Sequence, residues 1–510
     1  MRKPTKTWTR RLAIVSIGAL VFGFSYLIQP AWDNERAHYA LVRALAAGRA
    51  NVDDSMHFPA LRTVDVTRFH GHEYSTKAPG LAAVSMPPYL ALRSAGVETT
   101  GNPTKLVWAL HLWSIVIPAA VLLLLVRWRA EHVEPGFGTI AAVSLGAASL
   151  ILPFSTVFFS HVLSATLGFA AFALLTRERE TGASLWLVLA GGLAAGLAFT
   201  VEYPLAVVAV ALAVLVLAGG DRLRRASLYA LGVVAGALPA LAFNRWAFGS
   251  PFHLPQEGWH HVGSEPLPGL LGVTRPTLDN GLRILFYPGG IAPILLPALV
   301  GAVLLWRRGA RLQATLPILI AALFLSFNSA SVDPFGGASP GPRFMIPALP
   351  FLAVPLAAAF RAIPGATLGL VTGGAAFMVA ATLTKPLEAW DGLVLHRVIT
   401  GRYVDSVASF VGFGGSAADL PFLVALAVAA VAAIAATPWR LLPGRDALAG
   451  VVAFIAWLLL ASRIQTLLHH GATGEAAAVA AVAVAAALVA CVYRIDAWPR
   501  TRVQPTGSQH

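Results

Sequence analysis

Three short stretches hold residue types that could do chemistry. The first is WDNER at 32–36, where Asp33 and Glu35 stand directly after an apolar run. A carboxylate held at such a boundary suits a general base. Acids also complement the dipole of a helix start, so WDNER reads equally as a solvated first turn. The second is YSTKAPG at 74–80. Pro79 disfavours helical backbone at Ala78, which puts Lys77 at the start of a helix. An ammonium beside free N–H groups there makes an anion site. The alternative is a lysine that snorkels to lipid headgroups. The third is DPFGGASPGPRFMIPALPF at 333–351. Its glycines and prolines hold a tight loop ahead of Arg343. Backbone that must approach a ligand closely explains GGASPGP better than a simple snorkelling anchor does.

Weaker candidates surround these. Arg36 and Tyr74 sit within or beside the first two stretches. His161 (FFSHVL) and Glu202 (TVEYPL) stand at the ends of apolar runs. An ionisable group at such depth is a functional hypothesis, though either residue could cap a helix or meet headgroups. FHGHE places His70, His72 and Glu73 in a spacing that resembles a site for a divalent cation, but without further ligands the pattern is unspecific. His260 and His261 read as an exposed loop feature, and residues 244–256 as an ordered turn leading into a substrate-facing loop. No Walker A sequence and no GxGxxG appears. The basic links are too short to house a nucleotide-binding domain, so the chemistry is expected outside the cell, without ATP.

These stretches must be positioned by membrane helices. Of 510 residues, 57% are hydrophobic and 12% charged, with mean hydropathy +0.70. Soluble chains carry about 25% charged residues. The composition defines an all-α polytopic membrane protein. One cysteine, Cys491, rules out an intrachain disulfide framework. MRKPTKTWTRR followed by an apolar run without a small-x-small site predicts an uncleaved signal anchor. Apolar runs fall at about 12–29, 106–126, 138–155, 162–176, 184–201, 204–219, 227–246, 284–305, 314–328, 344–360, 366–383, 420–437, 447–465 and 475–493, roughly fourteen helices.

The links alternate in character. The N-terminus, the short links and the C-terminal tail of one set carry 21 Lys/Arg and 7 Asp/Glu. The other set, about 30–105, 155–161, 202–203, 247–283, 329–343, 384–419 and 466–474, with Arg245, Arg463 and Glu475 at its edges, carries 16 and 17. The net charge of +13 is therefore read as positive-inside bias rather than nucleic-acid binding. Both termini are expected in the cytoplasm and Lys77 outside. Within the first external loop, 35–48 predicts an amphipathic helix on the membrane surface, with Tyr39, Leu41, Val42 and Leu45 apolar and Gly48 at its end. Residues 80–95, broken by Pro87–Pro88, predict a second interfacial or half-inserted helix.

The order and sidedness of WDNER, YSTKAPGL and GASPGPRFMIPALPF resemble the GT-C superfamily of integral-membrane glycosyltransferases, which use polyprenyl-phosphate sugars. The likeness is to bacterial relatives of the lipid A aminoarabinose transferase and the protein O-mannosyltransferases, and runs from about 12 to 360. It implies a GT-C-like module over 1–360, with additional membrane helices over 361–510 that include an external loop at about 384–419. It implies Asp33 as catalytic base, and Lys77 and Arg343 as contacts to the donor phosphate. Many relatives carry a second aspartate after the third span. Here PFSTVFFSH offers His161 and no acid, so His161 or Glu202 takes that role or the acceptor sits differently. The expected reaction is inverting transfer from a polyprenyl-phosphate-linked sugar to a glycan, lipid or protein acceptor at the cell (inner) membrane, with no firm cofactor. Two other classes fit the same cations: a transporter or flippase for a lipid-linked or anionic substrate, and a lipid-linked polysaccharide polymerase or ligase.

Overall fold

The computed structural model describes residues 6–182, 184–257, 272–388, 393–439 and 443–495. His260 and His261, with the rest of 258–271 in the 247–283 link, therefore lie outside the described residues. The chain is an all-α bundle with two small two-stranded ladders. Each predicted apolar run is helical over most of its length. Among the described residues, eight helices are long and apolar enough to cross a membrane, and four more apolar helices are shorter. The helices Lys6–Tyr26 and His161–Thr181 fall outside that set, each carrying charged residues at one end. The run at 138–155 is not one helix. Gly138–Ala148 stops at Ser149, whose backbone is extended, and a single turn, Ile151–Phe154, follows. The Ser149 hydroxyl accepts the N–H of Ile151, drawing the chain out of the helical path.

Tight helix contacts rest on small residues. A Cβ at Gly192 or Gly236 would run into the backbone of the facing helix, so Trp186–Val201 and Arg222–Phe248 approach backbone to backbone. Among the largest buried side chains are Phe169, Phe172 and Phe351, whose rings meet at 5.4–5.5 Å.

The links sort into two groups at opposite ends of the bundle. At one end Arg129 pairs with Glu180, Arg225 with Glu178, and both Arg308 and Arg361 with Glu134. Phe137 and Phe360 both pack on Trp439 there, and Tyr493 bonds Asp446. These are the basic links. At the other end Leu27–Ile28 pairs with Asp405–Ser406, Gln29 donates to the Thr382 carbonyl, and Gln256 donates to the Thr76 carbonyl. The first loop, the 247–257 turn and the 384–419 loop are thus gathered together, as their shared charge character predicts.

The first loop holds both predicted helices and one element the reading missed. Asp33–Ala46 ends at Ala47, and Gly48 takes φ +71 as a helix-terminating glycine does. The helix is covered by protein over most of its surface. Glu35, Ala37, His38, Tyr39, Ala40, Leu41, Val42 and Ala44 are all buried, because Pro79–Ser94 and the strand His72–Ser75 cover it. Pro79–Ser94 keeps Pro87–Pro88 within it. Between the two helices, Val66–Phe69 and His72–Ser75 form an antiparallel hairpin.

Candidate functional site

The hairpin sets the position of Lys77. Val66 stands opposite Ser75 and Phe69 opposite His72. The two turn residues, His70 and Gly71, both have positive φ (49° and 83°), the geometry of a two-residue hairpin turn. Past the ladder, the Thr76 N–H and hydroxyl both donate to the Asp65 carbonyl, at 3.1 and 3.2 Å. Asp65 and Lys77 therefore flank one paired end of the hairpin, and Lys77 Nζ donates to Asp65 Oδ2 at 2.7 Å. Ala78 is extended with ψ 150°, as the residue before a proline should be, and Pro79 opens the next helix. Gly80 then seats that helix against Thr200 and Val201, where a Cβ would sit 2.7 Å from the Thr200 carbonyl. Lys77 is thereby brought near the segment that carries Glu202.

Arg343 arrives from the other half of the chain. It opens a 3-10 turn, Arg343–Ala348, that runs into the helix Leu349–Ala362. Ahead of it Asp333 Oδ1 accepts the N–H groups of Phe335 and Gly336, closing the loop on itself. Gly336 and Gly337 have φ +77° and +93°, conformations that favour glycine. A Cβ on Gly336 would lie 3.0 Å from Arg343 Nε and also meet the Phe344 ring, and Gly341 abuts Gly289. These glycines admit the protein's own atoms, a packing reason for a pattern that was expected to admit a ligand. The guanidinium lies 5.5 Å from the rings of both Phe159 and Phe344. Arg343 makes no ion pair among the described residues, and its Nε is buried without a hydrogen-bond partner.

His161 and Glu202 complete the floor. Glu202 pairs with His161 Nδ1 and accepts the hydroxyls of Ser160 (2.6 Å) and Ser164 (2.9 Å). The His161 ring stands edge-on to Phe344 at 5.8 Å, which links this pair to Arg343.

The Asp33–Ala46 helix closes the site from the first loop. Two residues along a helix turn the chain by about 200°, so Asp33 and Glu35 face apart. Asp33 is half-buried. Its Oδ1 accepts the Val64 N–H at 3.1 Å, one residue before Asp65. Glu35 is buried; one oxygen accepts the Trp32 N–H and the other has no partner. Burial pushes its carboxyl up to about 8, against the pull of Arg343. His38, three residues on and on the same face, is buried with Nδ1 unpartnered. Burial, helped by Lys77, His161 and Arg343, holds its imidazole well below the ordinary value. Burial also lowers the Lys77 ammonium, with Asp65 opposing. These mutual influences mark Glu35, His38, Asp65, Lys77, His161, Glu202, Asp333 and Arg343 as one electrostatic cluster.

Several predicted residues lie elsewhere. Arg36 donates to the Arg62 carbonyl and braces the loop. Tyr74 is packed between Phe69 and Phe248. His70 is a turn residue stacked on Phe69, His72 pairs with Asp53, and Glu73 binds Arg68. No group of three or more His, Cys, Asp or Glu among the described residues is arranged to hold a metal ion. Cys491 is exposed on the helix Ala472–Ile495.

No family model matches the chain, and no curated protein matches it. Among solved structures it is similar to ArnT from Cupriavidus metallidurans bound to undecaprenyl phosphate. That match has 17% identity and a TM-score of 0.50, covering 96% of this chain and 77% of that one. The apo form of the same protein matches at 18% identity and TM-score 0.49, covering 95% and 76%. The Archaeoglobus fulgidus oligosaccharyltransferase matches at 16% and 0.46, covering 87% and 58%. At such identity the likeness shows the fold alone: the polytopic all-α fold of the ArnT structure.

Proposed function

We propose that this protein is a membrane glycosyltransferase that moves a sugar from a polyprenyl-phosphate donor to an acceptor hydroxyl on the extracytoplasmic face of a cell membrane. The observation that carries this reading is the meeting of Lys77 and Arg343 in one buried cluster with Glu35, while Asp33, on the same helix, bonds the Val64 N–H one residue before Asp65. The two cations come from distant parts of the chain and stand at the end of the bundle that gathers the less basic links. The ArnT structure of the same fold holds undecaprenyl phosphate, which favours a lipid phosphate as the partner of these cations.

The chemistry follows from the leaving group. A polyprenyl phosphate departs without a general acid, provided cations stabilise the charge that develops on it. Lys77 and Arg343 supply them. Asp33 takes the proton of the acceptor hydroxyl. The acceptor oxygen bonds to the anomeric carbon while the carbon–oxygen bond to phosphate breaks, and the electron pair stays on the phosphate. One displacement inverts the anomeric centre. Glu35, held protonated near neutral pH, lines the cluster without cancelling its cations. The paired His161 and Glu202 take the role of the second aspartate that many relatives carry and this chain lacks, and orient the acceptor. Both termini and the basic links then face the cytoplasm.

Mass spectrometry of cell-envelope glycans, lipids and proteins from cells with and without the gene tests the reading. The expected result is one glycoform that loses a single sugar when the gene is deleted and regains it on complementation. An unchanged sugar complement with a changed distribution of lipid-linked intermediates across the membrane would favour the flippase class instead.

A further inference from the structure

Among the described residues Asp65 is the acid bonded to Lys77, and its charge also acts on Arg343. Its side chain and that of Lys77 are 17% and 15% exposed, so the pair is largely shielded from water. The Asp65 backbone is fixed on both sides: its N–H donates to Thr63 Oγ1 at 3.1 Å, and its carbonyl accepts twice from Thr76. The carboxylate is therefore carried by the same rigid hairpin end as Lys77, and only side-chain rotation can separate them. Nothing in the reaction as derived above uses Asp65. A carboxylate that occupies a cation meant for a phosphate weakens phosphate binding, so its placement needs a reason.

We infer that Asp65 sets which phosphate species the site retains, by competing with it for Lys77 and Arg343. This rests on the glycosyltransferase reading. A polyprenyl-phosphate sugar is a phosphodiester with one negative charge. Transfer leaves the bonding pair on the phosphate, so the product is a monoester that carries up to one charge more. Two desolvated cations alone would hold the product more firmly than the donor. Asp65, returning to Lys77 by rotation, offsets that gain and releases the product. The residue is a specificity determinant against the dianion, acting through the same ammonium that stabilises the leaving group.

The test uses full-length protein in detergent or nanodiscs, with two probes: undecaprenyl phosphate and its methyl ester, a monoanionic diester. Asp65→Asn keeps the shape and removes the charge. It is expected to bind undecaprenyl phosphate roughly tenfold tighter or more, through slower dissociation, with a smaller gain for the methyl ester. Asp65→Glu keeps the charge and is expected to bind like wild type. Should the Asn variant fail to fold, Asp65→Ser takes its place. Equal or weaker binding of undecaprenyl phosphate by the charge-free variant overturns the inference, and so does an equal gain for both probes. A wild-type protein that binds neither probe overturns the glycosyltransferase reading together with this inference, whereas wild-type binding without the Asn effect overturns the inference alone.

Discussion

The two ends of the bundle treat buried charge differently. At the basic end the buried ions Arg129, Arg225, Glu134 and Glu178 each have an oppositely charged partner. Arg129, fully buried, makes two bonds to the Glu180 carboxylate at 2.8 and 2.7 Å. Glu134 is shared by Arg308 and Arg361, and Arg225 is matched by Glu178. At the other end Arg343 and Glu35 have no ion-pair partner among the described residues, and Arg343 meets ring faces and longer-range charge; buried polar atoms without a hydrogen bond occur at both ends, on Arg129, Glu178 and Arg225 as on Glu35, His38 and Arg343. Burying a polar group without a bond costs free energy. A fold that gives its buried ions opposite-charge partners at one end and leaves Arg343 and Glu35 without them at the other fits the proposal that the second end receives an anionic ligand.

That contrast is broken first by Arg129→Ala. Removing Arg129 empties a fully buried guanidinium site and takes away two charge-assisted bonds to the more exposed Glu180 carboxylate, a loss of roughly 1.5–3 kcal/mol. The thermal midpoint in detergent should fall sharply, while Arg343→Ala, which strands no paired acid, should leave it nearly unchanged. Equal losses would erase the distinction between the ends.

The next effect separates the two acids of WDNER. Asp33→Asn is expected to lower transfer by roughly 10²- to 10⁴-fold, the range for a lost general base, with donor binding intact. Glu35→Gln is expected to be milder in transfer and to show itself in stability. Its folded value near 8 lies above the ordinary 4.5, so the folded protein holds this proton more tightly than the unfolded chain does. Raising the pH from 4.5 toward 8 therefore destabilises the fold through Glu35. Glu35→Gln should match wild type in melting near pH 4 and exceed it by a growing margin toward pH 8. A dead Glu35→Gln beside an active Asp33→Asn would reverse the roles.

How much of this was legible in the sequence differs between the two sides of the site. Pro79 and the GPR sequence announce where Lys77 and Arg343 stand, because proline restricts the backbone locally. The helix Asp33–Ala46 was visible, but its burial was not. Arg36 and Arg43 make it resemble a surface helix until Arg36 is seen tied to the Arg62 carbonyl and Arg43 to Ser55. Asp65 was missed because its meaning depends on the hairpin register, which only the pairing of Val66 with Ser75 fixes. The alternation VTRF-HG-HEYS was the available signal, and the histidines within it drew attention to metal instead. His38 could have been found from its spacing of three residues from Glu35, which puts both on one helical face.

The most direct test of the account is single-turnover transfer together with undecaprenyl-phosphate binding on Lys77→Ala, with Lys77→Arg as the charge-keeping control. Two cations on one phosphate are partly redundant for binding but not for the charge that develops as the sugar leaves. The account predicts a loss in turnover of roughly 2–4 kcal/mol, larger than the loss in affinity, and partial recovery in Lys77→Arg. Wild-type turnover in Lys77→Ala would contradict it and reduce the lysine to an ion pair with Asp65.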